Sequence, residues 1–209
     1  MARKVFVTGI GTDVGKTVAS AILARAWKMD YWKPIQAGHL DDLESDKVKR
    51  LLTDTKSKVH PTHIQLTQAT SPHFAAQHDG MEIQIQQLEV PITERPLLIE
   101  GAGGIMAPIN SQQTMLDFVK HHHCEIVVVS RNYVGSINHT LLTLEIIQQQ
   151  QLPLIGIIFN DNDYYQSIPF ITNYAKVQVI GEIPLLKKID LDTINSIAST
   201  FYKPDWVKE

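Results

Sequence analysis

Short apolar runs alternate along this chain with longer segments whose apolar residues recur at helical spacing. The runs are rich in valine, isoleucine and leucine, as expected of strands buried on both faces of a sheet. The predicted strands span residues 5–7, 31–35, 96–100, 125–130, 154–159 and 177–180. The predicted helices span residues 16–29, 41–52, 83–88, 114–122, 136–151, 163–175 and 190–201. Two glycine-rich or turn-rich stretches, residues 53–80 and 101–110, are predicted as loops.

This alternation of strands and helices predicts the fold class. Right-handed β-α-β units place successive strands in parallel and cover both faces of the sheet with helices. At 209 residues, the chain has the length of one such domain. We therefore predict a single α/β domain over residues 1–209, with a mostly parallel sheet and helices on both faces.

Composition and charge argue against several classes of partner. The formal net charge is −3, charged residues make up 20% of the chain, and no basic run is present, so neither nucleic acid nor an anionic membrane is expected as a partner. No apolar stretch reaches the length of a membrane span, and no apolar leader precedes the first strand. The single cysteine, Cys124, borders an apolar run and fits a core position in a reducing compartment. We predict a cytoplasmic protein.

The first strand leads into the glycine-rich sequence of a phosphate-binding loop. Residues 4–17 read K-V-F-V-T-G-I-G-T-D-V-G-K-T, and a helical pattern follows. In such a P-loop, backbone N–H groups and a helix N-terminus bind phosphate oxygens, a lysine (here Lys16) reaches the β- and γ-phosphates, and a hydroxyl (here Thr17) binds Mg²⁺. Five residues rather than the usual four separate Gly9 from the Gly-Lys pair, so the match is imperfect. The pattern still predicts a P-loop NTPase-like fold that binds a nucleoside triphosphate.

Polar residues follow several predicted strands at the point where each strand ends. Lys33 lies near the end of the second predicted strand, and Glu100 ends the third. Asn160 and Asp161 follow the predicted strand over residues 154–159. Ligands of open parallel sheets bind at the carboxyl ends of the strands, so we expect these groups at one rim. Glu100 is placed to bind Mg²⁺, and Lys33 adds a second cation that suggests a second anion beside the triphosphate. Asp46, in the helix after the second strand, fits either a metal ligand or a partner of the helix dipole.

An ordered set of motifs resembles the dethiobiotin synthetase family. The motifs extend from the first strand to near the C-terminus, and their order is more specific than any one of them. They are residues 11–17 (G-T-D-V-G-K-T), 33–38 (K-P-I-Q-A-G), 45–46 (S-D), 71–76 (S-P-H-F-A-A), 100–104 (E-G-A-G-G), 135–142 (G-S-I-N-H-T-L-L), 160–161 (N-D) and 181–184 (G-E-I-P).

The resemblance implies an ATP- and Mg²⁺-dependent ligase of biotin biosynthesis. In the family, 7,8-diaminononanoate (diaminopelargonate) takes up CO₂ as a carbamate, and the carbamate attacks the γ-phosphate of ATP. The second amine then closes the cyclic urea of dethiobiotin and expels phosphate. The resemblance also implies a homodimer whose substrate lies near the interface.

The resemblance further implies roles for individual residues. Those implied in catalysis are Lys33, Lys16 and Thr12, and those implied in Mg²⁺ binding are Thr17, Asp46 and Glu100. Those implied in nucleotide binding are Asp13, Val14, Gly15, Lys16, Thr17, Val18, Asp46, Glu100, Gly101, Ala102, Gly103, Asn160, Asp161 and Pro184. Those implied in substrate binding are Thr12, Lys33, Ala37, Ser136 and Asn138.

Two departures from the family pattern and two rival functions remain. Ala37 stands where the family usually has a hydroxyl that touches substrate, and Gly11 replaces a common acidic residue.

Partitioning-type ATPases share this P-loop ancestry, but the position of their extra lysine is occupied by Gly11. A small-molecule kinase would usually show an arginine-rich lid, whereas the arginines of this chain are not clustered.

Overall fold

The computed structural model describes residues 2–207 and contains a six-stranded sheet in which all neighbouring strands are parallel. The order across this sheet is β2-β5-β1-β6-β7-β8, and β3 pairs with β4 in a separate ribbon. The strands are β1 (Lys4–Gly9), β2 (Asp30–Trp32), β3 (Ile35–Ala37), β4 (Ile64–Leu66), β5 (Leu97–Gly104), β6 (Glu125–Arg131), β7 (Leu154–Asn160) and β8 (Val179–Ile183).

Helices connect most of the strands. They are α1 (Lys16–Ala26), α2 (Glu44–Leu51), α3 (Pro72–His78), α4 (Met115–His122), α5 (Ser136–Gln149), α6 (Ser167–Ala175) and α7 (Leu191–Ala198). Within residues 2–207, none of these helices is long and apolar enough to cross a membrane.

The core forms around β1, the third strand from the β2 edge. Val5, Phe6 and Val7 are fully buried, because helices cover both faces of this strand. On one face, the ring of Phe118 in α4 packs against Phe6 with 5.6 Å between the ring centroids. Burying a side chain of this size stabilises the fold by about 1.5–3 kcal/mol.

A reversal in strand order creates a crevice at the carboxyl ends of β1 and β5. From β1 the chain crosses toward β2 at one edge, whereas from β5 it crosses toward β6 in the opposite direction. Right-handed crossovers therefore place α1 and α4 on opposite faces of the sheet. The two loops diverge, and the space between them is where open α/β sheets bind ligands. The predicted fold class is confirmed.

The predicted strand over residues 31–35 is in fact two strands in different sheets. Strand β2 ends at Trp32 and β3 begins at Ile35. Pro34 lacks the N–H that a continuous ladder requires, so the chain leaves the main sheet there. This break leaves Lys33 between the two strands, with its side chain buried.

Two predicted loops contain regular structure. Residues 53–80 include β4, which pairs with β3, and α3, which begins with Pro72 in its first turn. Strand β4 is only three residues long, and its partner is distant in sequence, so no local pattern marks it. Residues 101–104 continue β5, because Gly104 pairs with Gly9 of β1.

Helix boundaries also differ from the sequence pattern. The predicted helix over residues 83–88 is a 3₁₀ turn, Ile85–Gln87. Helix α6 starts at Ser167 rather than at residue 163, and the Asp163 carboxylate accepts hydrogen bonds from the Ser167 N–H and hydroxyl at 2.8 and 2.7 Å. Short polar side chains at helix starts compete with the helix for backbone donors, which explains this later start.

Backbone hydrogen bonds from outside the sheet cover part of each edge. At β2, the Tyr31 N–H donates to the Lys58 carbonyl and the His60 N–H donates to the Tyr31 carbonyl, both at 2.8 Å. At β8, the Tyr202 N–H donates to the Ile180 carbonyl at 2.7 Å. These bonds pair edge groups that would otherwise face solvent.

We expect Thr114→Ala to lower the free energy of unfolding by about 1 kcal/mol. Thr114 caps α4, and the Asp117 carboxylate accepts from the Thr114 N–H at 2.7 Å, which completes a capping box. Urea unfolding followed by circular dichroism measures the loss. Thr53→Ala, at an exposed threonine, is the matched control. Equal losses in both variants would contradict a specific role of the cap.

Candidate functional site

A cavity of about 1110 Å³ opens at the carboxyl ends of β1 and β5. The P-loop and the start of α1 form one wall, and the end of β5 forms another. Thr12, Lys16 and Thr17 line the first wall, and Ala102 and Gly103 line the second. The predicted convergence of the P-loop, Lys33 and the residues after Glu100 is therefore present.

The P-loop is held in shape by a side chain at the end of β7. Asp13 and Gly15 have positive φ values of 56° and 88°. The Asn160 side chain at the end of β7 donates from Nδ2 to the Val14 carbonyl at 2.8 Å. A Cβ on residue 15 would lie 2.2 Å from that Nδ2 atom, so only glycine fits this conformation beside Asn160.

A buried network of charges forms the floor of the cavity. The Lys33 ammonium donates to Glu100 Oε1 at 3.2 Å and to the Gly101 carbonyl at 3.1 Å, and it forms an ion pair with Glu44. The Thr17 hydroxyl at the start of α1 donates to the same Glu100 oxygen at 3.0 Å. Lys33 and Glu100 are 3% and 0% exposed, so this ion pair is shielded from solvent.

Burial and neighbouring charges act in opposite directions on the pKa values of this network. Burial alone would lower the pKa of Lys33, but the carboxylates of Glu100 and Glu44 raise it above its usual value. Burial would raise the pKa of Glu44, but the Lys33 ammonium holds it below its usual value. Burial lowers the pKa of Lys16 to about 8, and the nearby Lys33 charge contributes, while carboxylates oppose the shift. Lys16 donates to the Gly11 carbonyl at 3.0 Å.

The structure corrects the predicted position of the second acidic group. The Asp46 side chain is exposed, whereas Glu44 lines the cavity and contacts Lys33. Both residues are in α2, and two residues that are two positions apart in a helix differ by a rotation of about 200° around its axis. The acidic residue that α2 contributes to the site is therefore Glu44, and Asp46 lies on the side facing solvent.

The other predicted nucleotide contacts fall into two groups. The P-loop and β5 residues Asp13, Gly15, Ala102 and Gly103 line the cavity. Val14 is buried beneath the loop, Val18 is half-buried in α1, and Gly101 is buried in β5.

A second group of predicted nucleotide contacts lies at the ends of the neighbouring strands. Asn160 ends β7 against the P-loop, and the Asp161 N–H donates to the Ile183 carbonyl at 2.9 Å. Pro184 follows β8 and is exposed. The ends of β7 and β8 therefore lie side by side next to the phosphate-binding loop.

The predicted substrate contacts are divided between two regions. Thr12, Lys33 and Ala37 line the cavity. Ser136 and Asn138 are in the first turn of α5, where Asn138 is exposed. The Ser136 hydroxyl is buried, and within the described residues it has no hydrogen-bond partner.

A later part of α5 borders the cavity instead of its first turn. Leu142, Thr143 and Ile146 lie on the cavity side, and the Leu142 side chain is 61% exposed. The cavity is thus open along a mixed face of this helix, to which the polar side chains of Glu145 and Gln149 also belong.

Three other residues of the site were not predicted from the sequence. Tyr31 donates to Glu100, and its place in an apolar strand gives no sign of that contact. Gln36 is buried and donates to the Gly38 carbonyl at 2.9 Å, which shapes the turn before α2. Arg131 ends β6 and links the P-loop carbonyl of Asp13 to the Asp161 carboxylate, each at 3.3 Å. Its place after an apolar strand was the available signal.

Comparison with known proteins identifies close relatives. A family profile described as an AAA domain matches residues 3–193. A protein of Christiangramia forsetii named ATP-dependent dethiobiotin synthetase BioD is 42% identical over 203 residues, which is 97% of this chain and 98% of the relative. A protein of the same name from Paramagnetospirillum magneticum is 42% identical and covers 92% of this chain and 93% of its own length.

Solved structures with a similar fold are more distant in sequence. A ParA family ATPase from Chlorobium tepidum has a TM-score of 0.56 at 16% identity, covering 95% of this chain and 91% of its own. The septum site-determining protein MinD of Pyrococcus horikoshii, complexed with Mg-ADP, has a TM-score of 0.53 at 12% identity, covering 94% of this chain and 87% of its own. At this identity, they show a shared fold alone.

Proposed function

The chain belongs to the ATP-dependent dethiobiotin synthetases, ligases of biotin biosynthesis, and from that premise we propose how its site performs the reaction. The substrates are 7,8-diaminononanoate, CO₂ and ATP, and the products are dethiobiotin, ADP and phosphate. One amine takes up CO₂ as a carbamate, and a carbamate oxygen attacks the γ-phosphorus as ADP leaves. The second amine then attacks the carbonyl carbon of the mixed anhydride, which closes the cyclic urea and releases phosphate.

The observation that carries this proposal is the buried Lys33 ammonium beside a P-loop. A P-loop binds its triphosphate with its own lysine, Lys16, so a second buried cation at the same cavity is suited to a second anion. We assign Lys33 to the carbamate and Lys16 to the transferring phosphoryl group, where each stabilises developing negative charge. Thr12 lines the same cavity wall, and we assign it to the contact between the two reactants.

The donor set at the cavity floor suits Mg²⁺. Thr17, Glu100 and Glu44 supply a hydroxyl and two carboxylates, which are the hard oxygen ligands that this cation prefers. We propose that these residues hold it and that Asp46 does not. A cation held there would neutralise negative charge that develops during phosphoryl transfer. Asn160, Asp161 and Pro184 are assigned to the adenine side of the nucleotide, next to the loop.

We also propose an oligomeric state for the enzyme. We propose a homodimer in which the first turn of α5, with Ser136 and Asn138, binds the aliphatic carboxylate of substrate held mainly by the other protomer. The support is the N-terminus of α5 with the exposed Asn138 beside it, together with the exposed Leu142 on the α5 face along the open cavity. One domain spanning residues 1–209 and a cytoplasmic location remain predictions.

We expect Lys33→Gln to separate nucleotide binding from turnover. Lys16, Thr17 and the loop amides still bind ATP in this variant, whereas the cation for the carbamate is lost. Nucleotide affinity by calorimetry should change less than about threefold, and phosphate release with saturating diamine and bicarbonate should fall by about 100-fold or more. Omitting either diamine or bicarbonate from the native protein should abolish phosphate release.

The matched control is Lys120→Gln, in the last turn of α4 and exposed. It should keep both native affinity and native turnover. Parallel loss of binding and turnover in Lys33→Gln would place Lys33 on ATP itself. Phosphate release that is independent of the diamine would contradict the proposed reaction.

The assignment of Glu44 over Asp46 predicts opposite results for two conservative variants. Glu44→Gln removes a charged oxygen ligand at the cavity, so the half-saturating Mg²⁺ concentration for turnover should rise about tenfold. Asp46→Asn alters an exposed carboxylate and should leave the Mg²⁺ titration within twofold of native. The reverse result would return the metal role to Asp46.

The dimer proposal predicts that Leu142→Glu yields a monomer. Leu142 is 61% exposed on the α5 face, and a buried charge there would oppose association. Light scattering after size exclusion distinguishes the 23.5 kDa chain from a species of twice that mass. Leu185→Glu, also at 61% exposure but after β8, is the control that should remain dimeric. A monomeric native protein at micromolar concentration would refute the proposal.

A further inference from the structure

Tyr31 forms a hydrogen bond with one of the two oxygens of the Glu100 carboxylate. Its hydroxyl donates to Glu100 Oε2 at 2.8 Å, while Glu100 Oε1 accepts from Thr17 and Lys33 at 3.0 and 3.2 Å. The two oxygens therefore have different roles. One faces the P-loop and the cavity floor, and the other faces a phenol buried in the protein.

The sheet register explains why these two residues meet. Tyr31 on β2 pairs with Leu98 on β5, and Glu100 follows Leu98 by two residues, so it projects from the same face. The Tyr31 side chain is 0% exposed, and segment 58–60 covers its backbone through the two edge hydrogen bonds. Little space is left for the ring to move.

We propose that Tyr31 is a positioning residue that fixes the rotation of the Glu100 carboxylate, so that Oε1 is presented to the metal and the P-loop. This proposal rests on the proposed function, in which Glu100 binds Mg²⁺. The terminal torsion of a glutamate side chain is soft, so packing of the aliphatic stem alone does not select one orientation. A hydrogen bond to one oxygen does select it.

The chemistry of the phenol supports a donor role. A tyrosine hydroxyl is protonated near neutral pH, and a carboxylate oxygen can only accept, so this bond runs from Tyr31 to Glu100 Oε2. A phenylalanine at this position would fill nearly the same volume but leave Oε2 without this donor. The contrast between the two side chains therefore isolates the hydrogen bond from the packing of the ring.

The test measures the Mg²⁺ dependence of ADP binding by calorimetry, which requires no turnover. In EDTA, Tyr31→Phe should bind ADP within twofold of the native protein, since the P-loop is intact. The Mg²⁺ concentration that gives half of the metal-dependent gain in affinity should rise about tenfold, because a hydrogen bond to a charged group is lost. Tyr174→Phe, at a tyrosine 70% exposed on α6, is the control that should behave as native.

A double-mutant cycle tests whether Tyr31 acts through Glu100. Glu100→Gln alone should also raise the required Mg²⁺, and adding Tyr31→Phe to it should change the value less than twofold. Additive effects would overturn the positioning role. Weak ADP binding by Tyr31→Phe in EDTA would overturn it too, since the ring would then be needed for the fold of the site.

The cycle also separates this inference from the proposed function. If Glu100→Gln raises the required Mg²⁺ and Tyr31→Phe does not, the Tyr31 proposal alone is wrong. If neither variant changes the titration, the assignment of Glu100 to Mg²⁺ is wrong, and the role of Tyr31 is wrong with it.

Discussion

The site depends on keeping one ammonium, that of Lys33, out of water. Removing such a charge from solvent costs several kcal/mol, and the cost is recovered only if partners surround it. The partners come from two elements, β5 with Glu100 and the Gly101 carbonyl, and α2 with Glu44. Because the chain leaves the main sheet between β2 and β3, Lys33 can contact both β5, inside the sheet, and α2. The same Glu100 also accepts from Thr17, which connects this point to the P-loop.

A consequence is that the cavity holds two cations near one another, with carboxylates as their counter-charges. The pKa of Lys16, lowered to about 8, reflects its burial first and the repulsion from Lys33 next. In the proposed function, a triphosphate brings further negative charge to this cavity, where both ammonium groups lie close to its binding loop.

The fold and much of this site follow from local patterns in the sequence. The apolar run of β1, the glycines after it and the helical spacing of α1 define the P-loop without reference to distant residues. Lys33 and Glu100 could be predicted because parallel strands all end at the same edge, so a charge after an apolar run has a known location. Neither inference required the order of strands in the sheet.

The features that the sequence did not reveal depend on the rotation of a helix about its axis and on pairing between residues that are distant in the chain. Asp46 and Glu44 are equally acidic and close in sequence, and only the rotation of α2 decides which one faces Lys33. Tyr31 reads as a core residue, because its hydrogen bond to Glu100 depends on the register of β2 against β5. Strand β4 is short and pairs with β3 in a ribbon outside the main sheet. These features arise from tertiary contacts that override local preference.

The backbone bonds at the two sheet edges restrict how copies of this chain could join. Groups on Tyr31 and Ile180 that would template another strand are already paired within the chain. Extension of the sheet from one molecule to the next is thereby disfavoured at these positions. A homodimer of the proposed kind would join through side chains on helix surfaces and leave the strand ladder of each copy intact.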